Sequence, residues 1–319
     1  MDRPDVVDLR SITGRQLEPL LLEETVEWDR ELDWDFRRSA ELVRQYADAR
    51  GLQGIALMRH GEVAGYSYAV LEDHKGLVGD LYVRPPWRNA ETEAWLLAMM
   101  LQALGGTPEV RRIESQLMLL GLETGRVLER QHSVRLHERV LMTLDVSCWE
   151  WGAAQGSYAS ERFRIEPWGD YHFDAAAGII TRAYRGHVDS EINDQYRSRP
   201  GAHRFLYNIV QYPGCGNFFR SASLVAFDRG TAAPAGVVLS SLVGPETGHI
   251  TQLCITPAAQ GQGLGRALLA RAIAGLRSRG VKRVSLTVTV ANKAALLLYQ
   301  RSGFQEVREF LACVWEARE

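Results

Sequence analysis

Gln260-Gly261-Gln262-Gly263-Leu264-Gly265-Arg266 places three glycines at alternate positions and opens directly into an apolar periodicity. Ahead of it, His249–Ile255 reads as a strand that ends at Pro257. Behind it, Leu264, Leu268, Leu269, Ala272, Ile273 and Leu276 recur at helical spacing as far as about Arg279, and Gly280 is a natural stop. A helix N-terminus carries unsatisfied N–H donors and partial positive charge. Glycines let that backbone come close to a large anion, so the expected use is a pyrophosphate cradle. The spacing is not the G-x-G-x-x-G of a dinucleotide fold, and Arg266-Ala267 stands where a Walker loop needs Lys-Ser/Thr.

Further out, Arg283–Val290 alternates Val284, Leu286, Val288 and Val290 against Ser285, Thr287 and Thr289, which predicts a half-buried strand. Asn292–Ser302 reads as a helix closed by Gly303, and Phe304–Glu316 as a final strand. Upstream, Glu161–Glu166 predicts a strand and Asp170–Tyr184 a helix. Asp189–Ser198 predicts a second helix with Asp189 as N-cap, and Ala202–Gln211 a third. Ser223–Asp228 and Ala235–Val243 follow as strands. This order predicts an α/β domain with an α+β mixed sheet.

The Gly/Ala/Ser-rich stretch Trp149–Ser160 is the expected boundary, giving domains at 1–150 and 158–319. The first half repeats part of the second. Leu81-Tyr82-Val83-Arg84-Pro85 aligns with Leu253-Cys254-Ile255-Thr256-Pro257 at an offset of 172, and without a gap Trp95-Leu96-Leu97 falls on Ala267-Leu268-Leu269. An internal duplication is the reading.

Composition sets the outer bounds. The chain has 319 residues, 46% hydrophobic and 24% charged, with a net charge of −2, which gives no support for a nucleic-acid or acidic-membrane partner. Met1–Arg10 is polar and lacks an apolar core, and runs such as Trp95–Leu101 fall far short of the ~18–20 residues of a membrane span. Cys148, Cys215, Cys254 and Cys313 form no C-x-x-C pair, so neither a zinc site nor a redox motif is expected. A cytoplasmic protein with free thiols and no metal is the expectation.

Two motifs carry a resemblance. Gln260, Gly263 and Gly265 fit Q/R-x-x-G-x-G/A after a strand. Asn292, then Leu298-Tyr299, then Gly303-Phe304 fit a second signature about 30 residues on. Together they resemble the GNAT superfamily of N-acetyltransferases over about 160 residues. The resemblance implies acetyl-CoA as acyl donor and direct attack of an amine on the thioester. It implies that the backbone of Leu253, Cys254 and Ile255 pairs with the pantetheine arm. Gln260, Gly261, Gln262, Gly263, Leu264, Gly265 and Arg266 would hold the pyrophosphate, and Asn292 would bond the arm. Tyr299 would sit near the sulfur, where a phenol of reference pKa about 10 suits the acid role.

The family's base position falls on His249, whose imidazole can serve near neutral pH. His187, Asp189, Asn193 and Tyr196 are the candidate acceptor-binding residues. On a helix Asp189, Asn193 and Tyr196 share one face, which suits a small polar amine. A non-catalytic acyl-CoA-binding regulatory or scaffold protein of the same fold is the alternative. In the first half the aligned loop reads Arg88-Asn89-Ala90-Glu91-Thr92-Glu93, with acids where glycines are needed. The expectation is two tandem GNAT-like domains, the first a degenerate copy without cofactor.

Overall fold

A computed structural model describes residues 4–131, 133–147, 149, 161–212 and 214–317. The chain divides into two compact units. Unit 1 is Met1–Arg139 with Glu309–Glu319, and unit 2 is Val140–Arg308.

Unit 1 runs β1 (Asp5–Asp8), α1 (Gly14–Leu32), α2 (Arg37–Asp48), β2 (Gly54–Arg59), β3 (Glu62–Glu72), β4 (Lys75–Val83), α3 (Ala90–Gly105), β5 (Arg112–Leu117) and α4 (Leu122–Gln131). The strand β6 (Arg135–Asp145) leads from it into unit 2. Unit 2 continues with β7 (Phe163–Pro167), α5 (Phe173–Ala183), α6 (Asp189–Ile192), α7 (Arg199–Gln211), β8 (Asn217–Phe218), β9 (Leu224–Asp228), β10 (Pro234–Leu242) and β11 (Thr247–Ile255). Then come α8 (Leu264–Ser278), β12 (Arg283–Thr289), α9 (Lys293–Arg301) and β13 (Gln305–Glu316).

In unit 1 the strands pair in the order β1-β2-β3-β4-β5, all antiparallel except β4 with β5. In unit 2 the order β7-β9-β10-β11-β12 repeats that pattern, again with one parallel pair, β11 with β12. The mixed sheet is thus as expected. The offset of 172 holds beyond the aligned segments, since β4 and β11 correspond end to end at that spacing. Both strands carry a bulge at the same place. Gly79 is the unpaired residue in β4 and Thr251, 172 residues on, in β11.

The closing strands are cut differently from an expected 1–150 and 158–319. Leu311–Glu316 pairs antiparallel with Leu117–Arg112 of β5, and Leu311 and Cys313 enter unit 1's core. Val140–Asp145 belongs to unit 2, where Val146 N–H bonds Lys282 O at 2.8 Å. An apolar final strand fits any open sheet edge, so its pattern does not name its partner. Of the expected linker, only Trp149 lies within the described residues.

In unit 2 helices cover both sheet faces. The periodic α8 residues Leu264, Leu268, Leu269, Ala272, Ile273 and Leu276 are all buried against Val238, Ile250, Val284 and Leu286. On the opposite face Ile179, Ile180 and Leu206 of α5 and α7 pack on Val237, Leu239 and Cys254. In unit 1, Trp34 is core, and Trp87 and Trp95 are partly buried.

Unit 1 also buries Glu24 of α1 completely. Its carboxyl accepts from Tyr66 Oη at 2.9 Å and Trp28 Nε1 at 3.4 Å, and it is hydrogen-bonded to buried Asp80. Two carboxylates cannot both ionise there, so the pair holds a shared proton. Burial and the neighbouring Asp80 charge push Glu24 well up, and burial lifts Asp80 to about 6. A raised folded pKa stabilises below the unfolded value and is lost as pH climbs through the folded one. Urea denaturation should therefore show unit 1 losing stability as the pH climbs from about 4 through about 6, the value of Asp80, and Glu24→Gln should flatten that slope. Equal slopes in both proteins would mean that no proton is shared.

Candidate active site

The glycine loop stands between β11 and α8. Gly261 and Gly263 have φ of +73° and +76°, in the left-handed region where other residues are strained. Gly263 is the N-cap of α8 and offers no capping side chain. Within the described residues, the N–H groups of Gly261, Gln262, Gly263, Leu264 and Gly265 find no protein acceptor. The loop is braced instead by its glutamines. Gln260 Nε2 donates to Ile255 O at 3.2 Å and Gln262 Nε2 to Ala258 O at 2.9 Å. Five consecutive donors around a helix start form an anion site.

The loop closes one end of a cleft of about 510 Å³. Parallel pairing of β11 with β12 runs from Thr247 to Ile250 and stops there. Beyond the Thr251 bulge the strands part, and Leu253, Cys254 and Ile255 line the opening. A bulge followed by divergence bares strand backbone on one side, which is where an extended amide chain can pair. Asn292 lines the far wall. It caps α9, its Oδ1 accepting from Ala295 N–H at 3.2 Å, which leaves Nδ2 as a donor. Tyr299 lies two turns along α9, 7% exposed and edge-on to Phe304. The structure thus brings the loop, the strand, Asn292 and Tyr299 into one cleft.

It does not bring His249 there. That ring is buried in β11, with Nδ1 2.9 Å from Ser285 Oγ, and it is absent from the cleft lining. Among the candidate acceptor residues, His187 lines the cleft. Its Nδ1 accepts from Asp189 N–H at 3.1 Å, so the neutral ring carries its proton on Nε2. Asp189 also takes the hydroxyl of Thr289.

The predicted helix over 189–198 is broken. Val188 precedes α6, so Asp189 is its first residue rather than the cap. Asn193 is extended, at φ −123° and ψ 107°, and its Oδ1 caps the following turn at Gln195 N–H. Asn capping its own downstream backbone competes with helix continuation, so the shared face of Asp189, Asn193 and Tyr196 is lost. Tyr196 packs inward instead, stacked on Tyr184 with ring centroids 4.4 Å apart.

Sequence reasoning missed Gln252 and the part played by Tyr184. Gln252 is buried in β11, and its Nε2 donates to Tyr184 Oη at 2.8 Å. A glutamine directly before the apolar run Leu253–Ile255 was the available signal. Cys254 also borders the cleft. Burial pushes its thiol up to about 12, so it stays protonated and is no nucleophile.

Unit 1 shows the contrast. Asn89 caps α3, its Oδ1 accepting from Thr92 N–H at 2.9 Å. Arg88 is a two-pronged partner of Glu27 and donates to Val83 O at 2.7 Å. Glu93 accepts from Thr124 Oγ1 at 2.7 Å. The equivalent loop is closed by its own side chains. Among the described residues no group of three or more His, Cys, Asp or Glu side chains could hold a metal, and no helix is long and apolar enough to cross a membrane.

Comparisons with known proteins give the chain's relatives. Residues 188–304 match the model of the acetyltransferase (GNAT) family. A mycothiol acetyltransferase of Beutenbergia cavernae is 54% identical over 61 residues, which is 19% of this chain and only 20% of that relative's length. A mycothiol acetyltransferase of Thermobispora bispora is 26% identical over 82% of this chain and 83% of its own. Among solved structures, a tandem GNAT protein from the clavulanic acid biosynthesis pathway is 14% identical over 99% of both chains with a TM-score of 0.64, a likeness of fold. Residues 188–304, a segment within unit 2, are thus similar to the acetyltransferase (GNAT) family.

Proposed function

We propose that unit 2 transfers the acetyl group of acetyl-CoA to a primary amine of a small molecule. The observation that carries this reading is the run of five unpartnered N–H groups, Gly261 to Gly265, at the mouth of a cleft that ends on Tyr299. The loop and Arg266 hold the pyrophosphate, bared β11 backbone at Leu253–Ile255 pairs with the arm, and Asn292 Nδ2 donates to it. Acetyl-CoA supplies the thioester carbon that the amine attacks. Tyr299 protonates the departing sulfur. The protonated Cys254 thiol supports attack by the amine itself rather than a covalent relay.

The base role first read onto His249 is not retained, because Ser285 and the sheet enclose that ring. The amine loses its proton to solvent at the open side of the cleft. His187, with Nε2–H outward, binds the acceptor beside Asp189. Asn193 and Tyr196 support this wall from behind. The name of the relatives, mycothiol acetyltransferase, supports a small-molecule acceptor. Unit 1 binds no cofactor, because Asn89 and Glu27 occupy the groups an anion would need. The setting is the cytoplasm, where acyl-CoA and reduced thiols occur.

Calorimetric titration with acetyl-CoA, followed by thiol release on an amine panel, is the test. One equivalent bound per chain with amine-dependent release of CoA is expected. Two equivalents would overturn the reading of unit 1, and no binding would overturn that of the loop.

A further inference from the structure

The floor of the cleft holds a second phenol that the proposed function does not use. Tyr184 ends α5 and lines the cleft with Tyr299 and Cys254. Its ring is held by two neighbours, one of them braced in turn. It stacks on Tyr196 at 4.4 Å and 20°, Tyr196 is held edge-on by Phe205 at 4.9 Å, and His187 meets Tyr184 edge-on at 5.3 Å. Its oxygen is fixed as well. Gln252 Nε2 donates to it at 2.8 Å, while Gln252 Oε1 faces Tyr196 Oη at 3.5 Å.

A phenol has one hydrogen to give. Because the oxygen already accepts from Gln252, the O–H points away from β11. Among the described residues that hydrogen meets no acceptor. Tyr184 is half-buried and lines the cleft, so this O–H is directed to a bound ligand rather than to a protein partner. The group also keeps its proton. Burial, with Cys254, Tyr196, Asp189 and Tyr299 close by, holds it well above the ordinary phenol value.

We infer that Tyr184 is a catalytic residue whose hydroxyl donates to the carbonyl oxygen of the bound thioester. This rests on the acetyl-transfer reading above. As the amine nitrogen bonds to the carbonyl carbon, the carbonyl electrons move onto oxygen, and the Tyr184 O–H holds that charge. The C–S bond then breaks with its electrons on sulfur, which takes the Tyr299 proton. The proton released by nitrogen goes to solvent, and Tyr299 recovers one from solvent. Tyr184 keeps its own throughout. A donor fixed before reaction contributes more than one that must turn, and removing such a donor elsewhere costs on the order of 10²–10³ in kcat.

Tyr184→Phe retains the ring and the stack and removes the hydroxyl, both the donor and the acceptor of Gln252 Nε2. Two readouts test it in the full chain. The first is kcat with acetyl-CoA, expected to fall roughly 100-fold while the KM for the amine stays within about threefold. The second is binding without turnover: the affinity of acetyl-CoA relative to S-ethyl-CoA, which lacks the carbonyl. The wild-type preference for the carbonyl should shrink by roughly fivefold, the worth of one hydrogen bond. An unchanged kcat, an unchanged carbonyl preference, or a raised amine KM at constant kcat would each overturn the assignment. If the wild type binds neither compound, it is the acetyl-transfer reading that fails.

Discussion

Gly263→Glu should leave a folded protein that no longer binds acetyl-CoA. Three features make this the largest expected effect on binding. Gly263 sits at φ +76°, so any side chain there is strained by about 1–2 kcal/mol. A β-carbon at Gly263 would meet no atom within 4 Å, so the fold bears no clash beyond that strain. A domain stability of about 5–15 kcal/mol absorbs it. The carboxylate, however, would stand at the mouth of the N–H cradle. A like charge about 4 Å from a phosphate, at an effective dielectric of about 20, costs roughly 4 kcal/mol, or about a thousandfold in affinity. Gly263→Ala separates the two effects, since it carries the strain without the charge and should weaken binding by no more than about tenfold. Calorimetry with unfolding curves for both variants decides it. Tight binding by a folded Glu variant would remove the pyrophosphate from this loop. The substitution imports what unit 1 already has, for Glu91 lies in the first turn of α3 and Glu93 is bound to Thr124.

The sequence made this loop legible because glycine is nearly unambiguous there. Alternate glycines before an apolar 3.6-residue pattern have few structural explanations, and β12's strict alternation fixed the next element. Buried polar residues were harder to read. Glu24 stands on an amphipathic helix and looks like a solvated acid until Tyr66 and Asp80, 42 and 56 residues away, are placed beside it. Asn193 is compatible with helix and with capping, and the choice depends on Gln195 N–H needing an acceptor. His249 occupies the position a family pattern assigns to a base, yet Ser285 of the neighbouring strand turns it into a buried sheet residue. For Glu24 and His249 the decisive partner lies on another element, which local pattern does not name.

Tyr299→Phe should carry the largest effect on turnover. Tyr299 is two helical turns from Asn292, and both line the cleft, so the helix that binds the arm also sets the distance of the phenol from the sulfur. Its ring is edge-on to Phe304 with centroids 5.9 Å apart, a contact phenylalanine preserves. Only the hydroxyl is lost. A general acid contributes typically 10²–10⁴ in rate, so kcat should fall by about that range while acetyl-CoA still binds within roughly threefold. The leaving group then offers an independent check. A sulfur leaving group that is more stable as an anion needs less help from an acid. A thioester with a more acidic thiol should therefore recover turnover in Tyr299→Phe but not in Tyr184→Phe, because charge on the carbonyl oxygen develops whichever thiol departs. Equal recovery in both variants would show that the two phenols serve one role. No recovery in Tyr299→Phe would assign its hydroxyl to binding rather than to protonation of the sulfur.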